Sequence, residues 1–399
     1  MKYLIIVLFL IVSIAPNAQN LNFNKGRSVK KNYYTEVKYD FVKGKIIIPV
    51  VIEGEIYKFL LDTGAPNMIT SSLRGKIETK FLKSISVKDA NDKTMALNVV
   101  SVPLLTIANV SFKNIPTIVN HKDTNFIFDC FEIDGIIGSN MLRKSIIQFL
   151  PIERLIKLTN DENKITFNEN SVLELSLMGN QSSPHIWINI QGKDKAKEHV
   201  LFDTGMNDFY DLSLKNYRIL KKRNIFYPIS QGIGVKGIGL FGEPNKNQHF
   251  RLLTPVLKVN KAVFNNVMVM TSDSKRSRIG SDLLSYGNVT IDFKNKKFYF
   301  DAFNDKVDLS KKILGFSPAI VNNELVVGIV WNKELKEEIS FEDKIINVNG
   351  VDFQNIDICD FITKESVFKT NDTLEIEFAD AKGIKKTIKL NKKLPLVQD

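Results

Sequence analysis

Cysteine is almost absent: the 399-residue chain has two, Cys130 and Cys359. That count excludes a small disulfide scaffold. Both cysteines are expected as buried small hydrophobes, although an exported chain could oxidise them. Histidine is scarce as well. His121, His185, His199 and His249 show no His-Glu-x-x-His or similar ligand spacing, so structural or surface roles are expected and no metal. There is no Gly-x-Ser-x-Gly elbow, and neither cysteine has a catalytic context. No stretch reads as a nucleic-acid motif. After the first residues, nothing is apolar enough to span a membrane.

What remains is a globular composition. Hydrophobic residues make up 44% and charged residues 25%, which argues against large-scale disorder. The length allows two or three domains, each with its own core. The net charge of +11 is spread through lysine-rich turns such as Lys294 to Lys297 and Lys385-Lys386. It reads first as a solvated surface, and second as a diffuse field favouring acidic partners. Residues 1–19 read as an export signal. Lys2 gives the positive start, Tyr3 to Ala15 is apolar, and Asn17-Ala18-Gln19 is a small-residue exit. The apolar run falls short of the roughly 20 residues that cross a bilayer. The expectation is a mature chain without a transmembrane segment, exported to the periplasm, the cell surface or the medium; an uncleaved anchor is the alternative.

The informative feature is a triplet that occurs twice. Asp62-Thr63-Gly64 follows the apolar run Phe59-Leu60-Leu61, and Asp203-Thr204-Gly205 follows Val200-Leu201-Phe202, 141 residues later. An ionisable residue ending a buried strand is costly unless it is paired or used. Two such places suggest two carboxylates meant to face each other. The surroundings repeat too. Ile47 to Glu53 and Ile186 to Gln191 are alternating strands upstream of each triplet. Asp134-Gly135-Ile136-Ile137-Gly138-Ser139-Asn140-Met141-Leu142 resembles Ser277-Arg278-Ile279-Gly280-Ser281-Asp282-Leu283-Leu284. Gly138 and Gly280 keep the aspartate spacing to within one residue. This is domain duplication, not a solenoid of short units. Strand-like alternation dominates, with short helices expected only around Ser139 to Lys144 and Asp282 to Ser285. From Asp305 onward the pattern has no earlier counterpart: strands at Leu325 to Trp331, Lys344 to Val348, Thr373 to Phe378 and Lys385 to Leu390, and a helix at Ile356 to Lys364.

The paired triplets with their downstream apolar-glycine elements resemble the retropepsin and pepsin clan of aspartic proteases. The resemblance implies a mainly β, bilobal acid-protease barrel fold, with lobes at 20–168 and 169–304. It also implies that Asp62 and Asp203 are the catalytic pair. Thr63 and Thr204 would lock the two loops together, Gly64 and Gly205 would permit the tight turns, and Gly138 and Gly280 would support the loops. Residues 305–399 resemble a small α+β PDZ-like domain. Leu314-Gly315-Phe316 matches its carboxylate-binding loop, and Phe341 to Gly350 matches its Gly-Asp-x-Ile-x-x-Ile-Asn-Gly stretch, with Glu342 in place of glycine. Such domains add an extended peptide to a sheet edge and capture its C-terminal carboxylate.

These readings imply hydrolysis of a peptide or protein substrate by a water held between two aspartates, without metal, thiol or cofactor. A C-terminal peptide would be the ligand of the PDZ-like part. The alternative is a protease-fold scaffold that binds peptide without cutting it. Met206, after the second glycine, is bulky enough to crowd Asp203, and Arg278 replaces the usual apolar residue before Ile279-Gly280. Ala65 and Met206 offer no hydroxyl to the aspartates, which implies a less acidic optimum than pepsin-like enzymes have. Candidate flaps are Ser84 to Val102, with its tip at Asp89 to Asp92, and Ser230 to Pro244. The second contains Gly232 to Gly237, which formally satisfies Gly-x-Gly-x-x-Gly but lacks the strand and helix of a dinucleotide site. Flap glycines or a plain surface loop both fit it.

Overall fold

The computed structural model describes residues 22–88, 94–120, 126–235, 246–355 and 357–395. The expected export segment, the tip at Asp89 to Asp92, His121, Ile356 and the stretch from Lys236 to Pro244 lie outside them. Strands dominate, as the alternation of β-branched and aromatic residues implies. No helix among the described residues is long and apolar enough to cross a membrane.

Among the described residues, strands from Arg27 to Gly138 form a nine-stranded sheet. Its centre is the strand Glu55–Asp62, whose Phe59, Leu60 and Leu61 are all buried, because both faces are covered. That strand runs parallel to Gly135–Gly138, with Gly138 opposite Asp62. The second half repeats the arrangement. Lys195–Asp203 runs parallel to Arg278–Gly280, with Gly280 opposite Asp203. In each half a further strand lies antiparallel to the glycine strand: Met68–Thr70 in the first and Tyr210–Ser213 in the second. Short helical turns follow the glycines at Ser139–Leu142 and Ser281–Ser285.

The halves are more entangled than a reading as two separate lobes allows. A six-stranded sheet takes strands from both, because the duplicated strands Ile146–Leu150 and Gly287–Asp292 pair antiparallel with each other. Gln148 Nε2 donates to Thr290 Oγ1 across that seam at 3.0 Å. One apolar core runs through both halves, from Tyr33 to Phe300. The second half also extends past residue 304. Lys306–Asp308 pairs parallel with Ala262–Ser272, and Leu309 N donates to Asn265 O. Alternation over so short a strand was too faint to read as part of that sheet.

The C-terminal unit has its own core, built on Phe316, Phe353, Phe368 and Phe378. Strands Phe316–Val321, Glu324–Val330, Lys344–Val348, Thr373–Ala379 and Lys385–Asn391 surround it, with a helix at Ile358–Thr363. Glu342 has φ of 72°, so the turn keeps a glycine-like backbone under a side chain. Glu342→Gly is expected to raise stability by roughly 0.5–1 kcal/mol through relief of that strain. A melting temperature lower than wild type would contradict this.

Among the described residues, two regions attach this unit to the rest. Cys130 and Cys359 form a disulfide across 229 residues, which corrects the expectation of two buried thiols. Their helices, Phe126–Cys130 and Ile358–Thr363, pack against each other, a proximity no local pattern in the chain reveals. The second connection is the hairpin Tyr227–Gly234 with Asn247–Val259, whose Gly234 pairs with Ile329. A Cβ on Gly234 would sit 1.9 Å from Gly328 O, and one on Gly232 would sit 2.5 Å from the Ile329 side chain. These two glycines are therefore neither flap hinges nor a loose loop; they let a strand press flat against the C-terminal unit.

Candidate active site

Each aspartate is placed by the strand that carries it. Burial of Phe59 to Leu61 and of Val200 and Phe202 fixes the two strands, and each chain then turns sharply at its Thr-Gly. The two turns meet at the seam. Thr63 N donates to Thr204 Oγ1 at 3.0 Å, and Thr204 N donates to Thr63 Oγ1 at 3.1 Å. Each hydroxyl donates onward to the opposite strand: Thr63 Oγ1 to Phe202 O at 2.6 Å, and Thr204 Oγ1 to Leu61 O at 2.8 Å. Both threonines are fully buried, and this reciprocal set satisfies both of their N–H groups and both of their hydroxyls.

The glycines bring the carboxyls together. A Cβ on Gly64 would lie 2.6 Å from Asp203 Oδ1, and one on Gly205 would lie 2.3 Å from Asp62 Oδ2. Any side chain at either position would displace the opposite carboxylate. Each carboxyl is aimed by main-chain donors: Gly64 N and Ala65 N to Asp62 Oδ1 at 2.8 and 3.1 Å, and Gly205 N to Asp203 Oδ1 at 3.0 Å. Each carboxyl thus abuts the opposite glycine across the seam, close enough for the charge of Asp203 to act on Asp62. Gly138 and Gly280 stand behind the loops. Gly138 N donates to Asn67 Oδ1 at 2.9 Å, and Gly280 N to Phe209 O at 3.2 Å. The next residues, Ser139 and Ser281, donate their N–H groups to Ala65 O and Met206 O.

Burial, and next the charge of Asp203, push Asp62 up to about 7, against opposing contributions from the Gly64 N–H and from Lys45. An acid raised on folding contributes stability below its unfolded value near 4 and loses it as pH climbs to about 7. Asp62→Asn cannot ionise. It is therefore expected to stabilise the protein by about 2–4 kcal/mol at pH 7.5 and by far less at pH 3.5. Thermal melts at the two pH values check this; equal shifts at both would contradict it.

Two cations stand at the pair. Arg278 Nη1 lies 3.3 Å from Asp203 Oδ2, while its Nη2 lies 2.9 Å from Asp211 Oδ2. Although burial opposes it, Asp211 and Asp203 hold the guanidinium well above its usual range. Lys45, at the start of Lys45–Ile52 in the first half, donates from Nζ to Gly205 O in the second. The pseudo-symmetric contact runs the other way, from Gln181 Nε2 to Gly64 O at 2.9 Å. Lys45 is lowered by burial, against the pull of Asp62 and Asp203.

The remaining residues singled out in the sequence fall as follows. Met206 turns its Cε towards Gly280, where a Cβ would meet it at 2.9 Å. Leu314 and Phe316 are buried and lie away from the aspartates. Leu314 O accepts from Arg251 Nη1 at 2.6 Å, and Gly315 O accepts from Trp331 N at 2.8 Å. His185 and His199 stack beside Trp187 on the second half, and His249 is buried. No group of three or more potential metal ligands is clustered among the described residues. A cavity of about 460 Å³ lined by Asn189, Lys195, Lys197, Arg223 and Lys258 lies on the second half's sheet and holds no acid–base pair.

Lys45, Asp211 and Gln181 were missed in the sequence. Asp211 had a readable signal, a lone carboxylate in the apolar run Phe209 to Leu212. Lys45 had none, being one lysine in a lysine-rich turn.

A family model described as aspartyl protease matches residues 48–141. The matched stretch holds Asp62, Thr63, Gly64 and Gly138. No curated protein matches the chain.

Proposed function

We propose that this chain is an exported aspartic endopeptidase whose two catalytic carboxylates come from two lobes of one polypeptide, with a PDZ-like C-terminal domain for a peptide or partner. The observation that carries the reading is the abutment of Gly64 on Asp203 and Gly205 on Asp62, locked by Thr63 and Thr204. The similarity of residues 48–141 to aspartyl proteases supports it.

Two carboxyls in contact share one proton, since both cannot ionise side by side. The ionised one takes a proton from a water between them, and that water's oxygen bonds to the scissile carbonyl carbon. The protonated one gives its proton to the carbonyl oxygen. The tetrahedral adduct then collapses as the amine nitrogen receives a proton and the C–N bond breaks. The apparent titrations belong to the pair.

A non-cleaving peptide binder is the second reading, and the contact of Arg278 with Asp203 favours it. Incubation with a peptide library in ¹⁸O-water separates the two. New C-termini carrying one ¹⁸O are expected from the protease; an uncut library would support the binder.

A further inference from the structure

The pair is built from near-identical halves, yet its charged surroundings are not symmetric. On the Asp203 side stands Arg278, which also holds the buried Asp211. Asp211 in turn accepts from Ser272 Oγ at 2.7 Å. Behind it Glu198 is buried among Ser277, Asn216 and Tyr210, and faces Asp211 rather than the pair. The strand that corresponds to Arg278–Gly280 in the first half reads Ile136-Ile137-Gly138, so Ile136 stands where Arg278 does, and no such ion pair to Asp62 is found among the described residues. From the other direction comes Lys45, which faces Asp62, Asp203 and Asp208 and is repelled by Arg278. The corresponding contact to Gly64 O, in the other direction, comes from the neutral Gln181.

We propose that Arg278 and Lys45 are positioning residues that give the two aspartates fixed and different roles: Arg278 keeps the pair's single negative charge on Asp203, and Lys45 limits the pH up to which Asp62 keeps the proton. This rests on the endopeptidase reading for its catalytic meaning, but the charge assignment itself stands on the ion pair of Arg278 with Asp203 and on the seating of Lys45 Nζ against Gly205 O, the glycine that abuts Asp62. Protonating Asp203 would leave Arg278 facing one neutral acid, whereas protonating Asp62 breaks no ion pair. Asp203 is then the group that draws the proton from water, and Asp62 the group that gives one to the carbonyl oxygen. Asp203 later passes its proton to the leaving amine, and Asp62 regains its own from the collapsing adduct, so the cycle closes. The conflict noted for Arg278 resolves in the same way. Beside an aspartate that must remain charged, a guanidinium is compatible with catalysis.

The two cations act on different steps of the pair's titration. Arg278 pairs with the carboxylate that carries the charge, so its loss is felt on the pair's lower step. Lys45 opposes the rise of Asp62, so its loss is felt on the upper step. An opposite charge within about 4–6 Å moves a carboxyl by one to three pH units. Hence Arg278→Met is expected to move the lower step up by about one unit or more. Lys45→Met is expected to move the upper step up by about one unit and the lower step by less. Arg278→Lys and Lys45→Arg are expected to fall near wild type, which loss of packing alone would not produce.

The test is ¹³C carboxyl NMR of aspartate-labelled full-length protein from pH 3 to 9, with the pair's signals assigned from Asp62→Asn and Asp203→Asn. In the wild type the signal titrating near pH 7 is expected to vanish in Asp62→Asn. If it vanishes in Asp203→Asn instead, or if Arg278→Met and Lys45→Met move both steps equally, the proposal is overturned. Should Arg278→Met fail to fold, Arg278→Met with Asp211→Asn removes the stranded acid as well, and the wild-type assignment still decides. A protein that shows the predicted titrations but cuts no peptide refutes the endopeptidase reading and leaves the charge assignment standing.

Discussion

Asp62→Asn and Asp203→Asn are each expected to lower peptide hydrolysis by roughly 10³-fold or more, with no loss of fold. The reason is that neither carboxyl has a substitute. Acid–base catalysis by one positioned group is worth about 10²–10⁴ in rate, and each substitution removes a group needed in both halves of the cycle. The substitution is also nearly isosteric, so Gly64 and Gly205 still fit against it. Folding should survive because the Thr63–Thr204 lock does not involve either carboxylate. The two variants should nonetheless differ. Asp62→Asn removes an acid that is disfavoured in its charged form and stabilises the protein. Asp203→Asn strips Arg278 of one of its two partners in a buried place and should destabilise it. Circular dichroism melts beside the rate measurements check both parts. A variant that is inactive only because it is unfolded would not count in favour.

The second large effect is expected from the disulfide. Replacing Cys130 and Cys359 by serine, or reducing the bond, should lower stability by about 5 kcal/mol if the link acts by restricting an unfolded loop of this length. The loss should be unequal across the molecule. The main body keeps its shared core and its seam sheet, neither of which involves the cysteines. The C-terminal unit is then held chiefly along one hairpin, by the Gly234 pairing, the packing of Val235 on Ala319 and Val326, and the contacts of Arg251 with Leu314, Ser317 and Trp331. Calorimetry under reducing conditions is therefore expected to split one transition into two, with the C-terminal unit melting first. An unchanged melting curve on reduction would contradict the account.

Legibility in the sequence followed the range of the interaction. Strands announced themselves through alternation, and the apolar runs ending at Asp62 and Asp203 were readable because a carboxylate there breaks a buried pattern. The duplication made the two triplets a pair before any contact was known. What escaped was set by distant partners. Cys130 and Cys359 look like isolated small hydrophobes until two helices 229 residues apart pack together. Gly232 and Gly234 look like a flexible loop, because nothing local shows the strand that lies against them. Lys45 is chemically ordinary and gains significance only from the carbonyl and carboxylates supplied by both halves. Arg278 was visible as a departure from pattern, but its sense was not: whether it disables Asp203 or holds its charge depends on Asp211, which shares it.

That both aspartates of one chain make one site is the central claim, and mixing the two inactive variants tests it most directly. Cleavage of the peptide library is measured for wild type, for Asp62→Asn, for Asp203→Asn and for an equal mixture of the two. The account predicts cleavage by wild type alone. Activity regained in the mixture, or wild-type rates in either variant, would contradict it.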